Sequence, residues 1–89
     1  MALARGDLVA TDTILEDTGM RERCYDPAHR DYVYYGGRGI TVHGPWRASF
    51  ATFADELVAA IGARPSLLHQ MDRIDNERGY EPGNVRWVL

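Results

Sequence analysis

Met71-Asp72-Arg73-Ile74-Asp75-Asn76-Glu77-Arg78-Gly79-Tyr80-Glu81-Pro82-Gly83-Asn84-Val85-Arg86-Trp87 is the stretch on which the reading of this chain turns. Turn-forming and charged residues fill its middle, while Met71 and Ile74 on one side and Val85 and Trp87 on the other read as apolar strand ends. That order predicts a long-looped antiparallel hairpin, with strands over 67–71 and 84–88. Asp72, Asp75, Asn76 and Asn84 bring several hard oxygen donors into one short span, the chemistry a divalent cation such as magnesium requires. Turns also select Asp and Asn for their own backbone, so the same residues are compatible with a purely structural loop.

Working outward, the segment before the hairpin carries the clearest helix. Phe50, Phe53, Ala54, Leu57, Val58 and Ile61 recur at three- and four-residue steps and form one apolar stripe, with Asp55 and Glu56 on the opposite face. Ser49 is its candidate N-cap, Gly62 its left-handed C-cap, and Pro65 prevents resumption. Upstream lie a Gly44-Pro45 turn, a short strand Ile40-Thr41-Val42-His43, and the glycine run Gly36-Gly37-Arg38-Gly39 behind Tyr32, Tyr34 and Tyr35. Tyrosines beside Arg38 suit base stacking and phosphate contact, and equally suit the core of a small domain. The glycine run lacks the spacing of a dinucleotide or P-loop fingerprint. Thr13-Ile14-Leu15-Glu16 has capping-box spacing and predicts a helix over 14–24, halted by Tyr25-Asp26-Pro27, with Gly19 a weak point inside it. Residues 1–12 show no period and are read as a flexible N-terminal arm, leaving 13–89 as a single domain.

These elements make an α+β domain of two helices and a short antiparallel sheet, and 89 residues bound it to one modest core. Cys24 is the lone cysteine, which excludes an internal disulfide and a multi-cysteine zinc site. No run approaches the roughly 18 apolar residues that span a bilayer, and the N-terminus lacks signal-peptide order. An intracellular protein without membrane contact is the expectation. Net charge is −3, against the basic surplus of a free-standing nucleic-acid binder. All ten basic residues are arginine; five of them fall in residues 21–47 against three acids, between two acidic ends.

Asp-Arg-Ile-Asp-Asn at 72–76, Tyr-Glu-Pro-Gly-Asn at 80–84 and Arg-Trp at 86–87, preceded by Arg-Cys-Tyr-Asp-Pro at 23–27, Tyr-Gly-Gly-Arg-Gly-Ile-Thr-Val at 35–42 and Trp46, resemble small phage and prophage proteins related to the HNH homing-endonuclease family. The resemblance covers about residues 14–88. It implies that the hairpin corresponds to a ββα-metal motif, whose family members bind one divalent metal and use a His general base on phosphodiesters. Carried over, Asp72 takes the first metal-ligand position and Asn84 approximates the Asn position. Arg73 stands where the His belongs, and the closing helix has no counterpart before Leu89. A guanidinium stays protonated and has no acceptor, so it cannot serve as a base. His69 lies on the opposite strand face from Asp72 by parity and is a poor replacement.

The resemblance therefore implies a non-catalytic binding protein of a phage or mobile element on a degenerate HNH-like scaffold, acting on DNA or on a DNA-processing complex, with no catalytic residue and no required cofactor. Asp72 and Asn84 remain the candidates for a divalent metal. Candidate nucleic-acid or partner contacts are Arg23, Arg30, Tyr32, Tyr34, Tyr35, Arg38, Arg47, Arg73 and Arg78. Two other readings stay open. An acidic, anti-CRISPR-like inhibitor would present Asp55, Glu56, Asp75, Glu77 and Glu81 to a nucleic-acid-binding host defence complex; a metal-dependent nicking endonuclease would need a base from elsewhere.

Overall fold

Ser49 caps a helix as its spacing predicts: its Oγ accepts from the Thr52 amide at 3.2 Å, and α3 runs Phe50–Ile61. The computed structural model in which this is seen describes the backbone of residues 5–89 and the side chains from Leu15 onward. Phe53 and Leu57 are fully buried, with Phe50 and Ile61 packed partly against the same core. Val58 departs from the expected stripe and is 37% exposed, because it sits at the edge of the arc that Phe53 and Leu57 centre. Gly62 does take a positive φ, 77°, but with ψ at 175° it is not the expected left-handed cap.

A long first helix, α1 (Arg5–Tyr25), packs across α3. It opens at Arg5 rather than after a Thr13 cap, so helix replaces the expected arm over its described part; residues 1–4 lie outside the described residues. No proline interrupts 5–25, and a helix once nucleated adds one hydrogen bond per residue, which carries it through a segment with no apolar period. Met20 and Cys24, one turn apart, are its buried contribution to the core.

After α1 the chain makes two 3-10 turns, Tyr32–Tyr34 and Gly36–Arg38. Gly36 is obligatory there: a Cβ would lie 2.0 Å from the Cys24 carbonyl oxygen. Pro45, expected in a simple turn, instead starts a short helix α2 (Gly44–Ala48), where a proline costs no hydrogen bond. α2 buries Trp46 edge-on against Phe53, ring centres 5.1 Å apart. Arg21 ties α1 to α2, donating to the carbonyls of Trp46 and Arg47 at 2.8 Å each while held by Asp17.

The C-terminus is the expected antiparallel hairpin, with β1 at Gln70–Arg73 and β2 at Val85–Val88. β1 is displaced towards the loop from its expected ends, leaving Leu67 and Leu68 in an exposed turn, and β2 begins one residue later than expected, at Val85. Cross-strand pairs run from Gln70↔Val88 to Arg73↔Val85. Met71 and Arg73 point into the molecule, Gln70 and Asp72 away, as the two-residue period requires. The expected strand over 40–43 reduces to one bridge, Val42 to Tyr80, flanked by bonds from the Tyr80 amide to the Thr41 carbonyl and from the His43 amide to the Tyr80 carbonyl. At this junction a Cβ on Gly79 would sit 2.2 Å from the Thr41 oxygen. Gly79→Ala is therefore expected to force the two segments apart and cost about 1 to 3 kcal/mol, read by urea melting.

The fold is thus mixed α+β, and no described helix is long and apolar enough to cross a membrane.

Candidate functional site

Where the hairpin loop meets α1, two tyrosines and two arginines stack into one cluster. The rings of Tyr35 and Tyr80 lie nearly parallel, 13° apart in plane with centres 6.3 Å apart. Arg23 approaches both, its Cζ 5.3 Å from the Tyr35 centre and 5.7 Å from that of Tyr80, and Arg73 does the same at 5.1 Å and 5.7 Å. Guanidinium groups at such distances are attracted by the ring quadrupoles. Arg23 also donates to the Tyr80 hydroxyl from Nε at 3.2 Å and Nη2 at 3.0 Å. Burial raises the Tyr80 pKa, which the neighbouring Arg23 only partly opposes, so the phenol stays neutral and acts as an acceptor. Cys24, beneath the cluster, has its thiol pKa raised by burial against the pull of the same two arginines. It is the small buried hydrophobe that its isolation in the sequence suggests.

Arg73 is 7% exposed and turns three of its N–H groups onto its own loop. Nη1 donates to the carbonyls of Asn76 at 2.7 Å and Arg78 at 2.8 Å, and Nη2 to Asn76 Oδ1 at 3.0 Å. Asn84, 1% exposed, braces the other end of the loop: its Oδ1 accepts from the Asp75 amide at 2.7 Å, and its Nδ2 donates to the carbonyls of Gly79 at 2.8 Å and Asp75 at 3.2 Å. Asp72 faces the other side of the hairpin and pairs with Arg86 at 3.1 Å. The two expected metal ligands are thus engaged separately, one with a guanidinium and one with main chain, and this donor set does not fit a divalent-cation centre. Among the described residues no group of three or more His, Cys, Asp or Glu is placed to hold a metal.

The other expected contact residues are scattered. Arg38 bridges two loops, donating to the Tyr34 carbonyl at 3.2 Å and the Asn76 carbonyl at 2.9 Å, with Glu77 at 3.7 Å. Tyr32 packs its ring over Gly36 and Gly37, whereas Tyr34 is 62% exposed. Arg47 lies 3.9 Å over the Tyr25 ring, Arg78 pairs with Glu81, and Arg30 with Asp31. On α3, Asp55 is exposed, while Glu56 accepts from the Trp46 indole. Asp75 Oδ1 caps the Glu77 amide within the loop. Each arginine from Arg21 onward thus has a partner within the chain; Arg21, Arg23, Arg38 and Arg73 brace the fold, whereas Arg30, Arg47, Arg78 and Arg86 stay exposed at the surface. Arg38→Ala is expected to lower the melting temperature by roughly 4 to 8 °C, the loss of about 1 kcal/mol in a domain of this size, checked by calorimetry.

Beside the cluster a cleft of about 520 Å³ opens between α1 and β1, with Leu15, Gly19 and Arg23 on one wall and Gln70, Met71 and Asp72 on the other. Sequence reasoning missed Tyr80 as the partner of Tyr35 and Gly19 as a cleft wall. The available signal was Tyr80's place inside the hairpin loop, and a helical glycine that no cap explains. Compared with protein-family models, curated proteins and solved structures, the chain matches none.

Proposed function

We propose that this chain is a non-catalytic binding protein on a degenerate HNH-like scaffold, encoded by a phage or mobile element, which acts on a DNA-processing complex through protein contact. The observation that carries the non-catalytic part is Arg73. At the position where the resemblance implies a general base, a buried, always-charged side chain holds three oxygens of its own loop. The protein-directed part is supported by charge. Net charge is −3, and the exposed Arg30, Arg78 and Arg86 each sit beside a carboxylate of the chain, Asp31, Glu81 and Asp72, which opposes the approach of a phosphate backbone. Exposed carboxylates such as Glu77, 87% exposed, and Asp55 favour a basic partner surface, the chemistry of an anti-CRISPR-like inhibitor that occupies a nucleic-acid channel.

Purification of the tagged protein from a bacterial host, with and without nuclease treatment, tests the reading. A stoichiometric protein partner that survives nuclease is expected, with an association rate that falls when Asp55 and Glu77 are changed to Arg. Recovery of nucleic acid alone, lost on treatment, would identify a direct DNA binder instead.

A further inference from the structure

The cleft beside β1 has an unused strand edge in it. The Ile74 amide bonds the Asn84 carbonyl at 2.9 Å, which makes 74↔84 a hydrogen-bonded pair in the register that also pairs 72 with 86 and 70 with 88. Antiparallel ladders alternate, so the main-chain groups of Gln70 and Asp72 face β2, and those of Met71 and Arg73 face the outer edge. Among the described residues no group bonds the Met71 amide or carbonyl from that side, although Met71 is only 6% exposed. Three successive residues, Gln70, Met71 and Asp72, line the cleft. Side chains of one strand alternate between faces, so contact with three in a row means that the cleft runs along the edge itself. The opposite wall is α1, made shallow at Gly19.

We propose that this cleft takes an extended segment of a partner protein, which adds to the outer edge of β1 as a third strand with alternating apolar and acidic side chains. Strand addition supplies the donor and acceptor that Met71 lacks and uses alternate pockets for specificity. The apolar side chains would lie against Leu15, 61% exposed, and Val88. The acidic ones would face Arg23, which among the described residues has the Tyr80 hydroxyl as its hydrogen-bond acceptor and no carboxylate within ion-pair distance. The other charged groups of the cleft are ion-paired, Glu16 with Arg64, Arg30 with Asp31, and Asp72 with Arg86 outside the lining. Arg23, on which Glu16 acts only at longer range, is therefore the cation left to meet a partner's carboxylate. The volume is that of a small peptide site, and four residues of β1 offer about 13 Å of edge. This inference rests on the protein-directed reading above, and the two fail separately, since the test below uses peptides alone and reads neither DNA binding nor cleavage.

The probe is a display library of random linear dodecapeptides, selected on the wild-type protein and counter-selected on Gly19→Leu. That variant fills the cleft with a better helix former. A new Cβ would meet Arg23 Nη1 at 3.0 Å, so an unchanged melting temperature and an unchanged Tyr80 environment by fluorescence qualify it before selection. Leu15→Arg, which blocks the same cleft from an exposed position, serves beside it. Enrichment of alternating apolar and acidic sequences is expected, with Met71 amide exchange slowed at least about tenfold by the best peptide and binding lost when its backbone amides are N-methylated. Peptides that bind Gly19→Leu equally, that tolerate N-methylation, or that leave Met71 exchange unchanged would overturn the proposal, as would the absence of any enrichment.

Discussion

Replacing Trp46 with alanine is expected to cost about 3 to 5 kcal/mol, the range for removing a large aromatic from a packed core. Trp46 is fully buried, meets Phe53 edge-on at 5.1 Å and His43 edge-on at 5.8 Å, and donates its indole N–H to Glu56. It is the point at which α2, α3 and, through Arg21, α1 are fastened together. A domain of 89 residues has roughly 5 to 13 kcal/mol in total, so this one change removes a large share of it. Glu56 is exposed and water can replace the lost donor, so the effect is one of packing. Urea melts of Trp46→Ala and Trp46→Phe separate the two contributions, the phenylalanine recovering much of the loss. A deficit below about 1 kcal/mol in the alanine variant would remove Trp46 from the centre of the core.

Arg73→Leu is expected to cost about 1.5 to 3 kcal/mol despite similar bulk, because three hydrogen bonds from a charged donor that hold the loop at Asn76 and Arg78 are lost. The damage should be local. Amides of residues 74–84 should exchange much faster, while those of α3 change only in proportion to global stability. Arg73→Lys should rescue little, since an ammonium on a flexible stem cannot reproduce a planar fork that spans Asn76 and Arg78. Exchange rates in the loop equal to wild type in Arg73→Leu would show that Asn84 alone closes it.

How much of this was legible in the sequence depends on the range of the interaction. α3 and its Ser49 cap follow from a local period and a local hydrogen bond, and both are where the sequence puts them. The hairpin is legible for the same reason, though β1 begins at Gln70 rather than Leu67 and runs on to Arg73, which shares the inward parity of Met71. That parity is the one sequence clue that Arg73 is buried. α2 was hidden because Gly-Pro signals a turn as readily as a helix start. The pairing of Tyr35 with Tyr80, the approach of Gly79 to Thr41 and the emptiness beside Met71 all join segments far apart in the chain. No local pattern encodes them. The candidate site was accordingly visible as a collection of arginines and tyrosines, and invisible as an arrangement in which Arg23, Arg38 and Arg73 serve the fold.

Whether the braced hairpin loop is free of chemistry is settled most directly by incubating supercoiled plasmid with the protein in magnesium and in manganese, beside Asp72→Ala and Arg73→Leu. With Arg73 holding the loop shut and Asn84 committed to main chain, no conversion to nicked or linear DNA is expected from any of the three. Metal-dependent nicking by the wild type that disappears in Asp72→Ala would contradict the account.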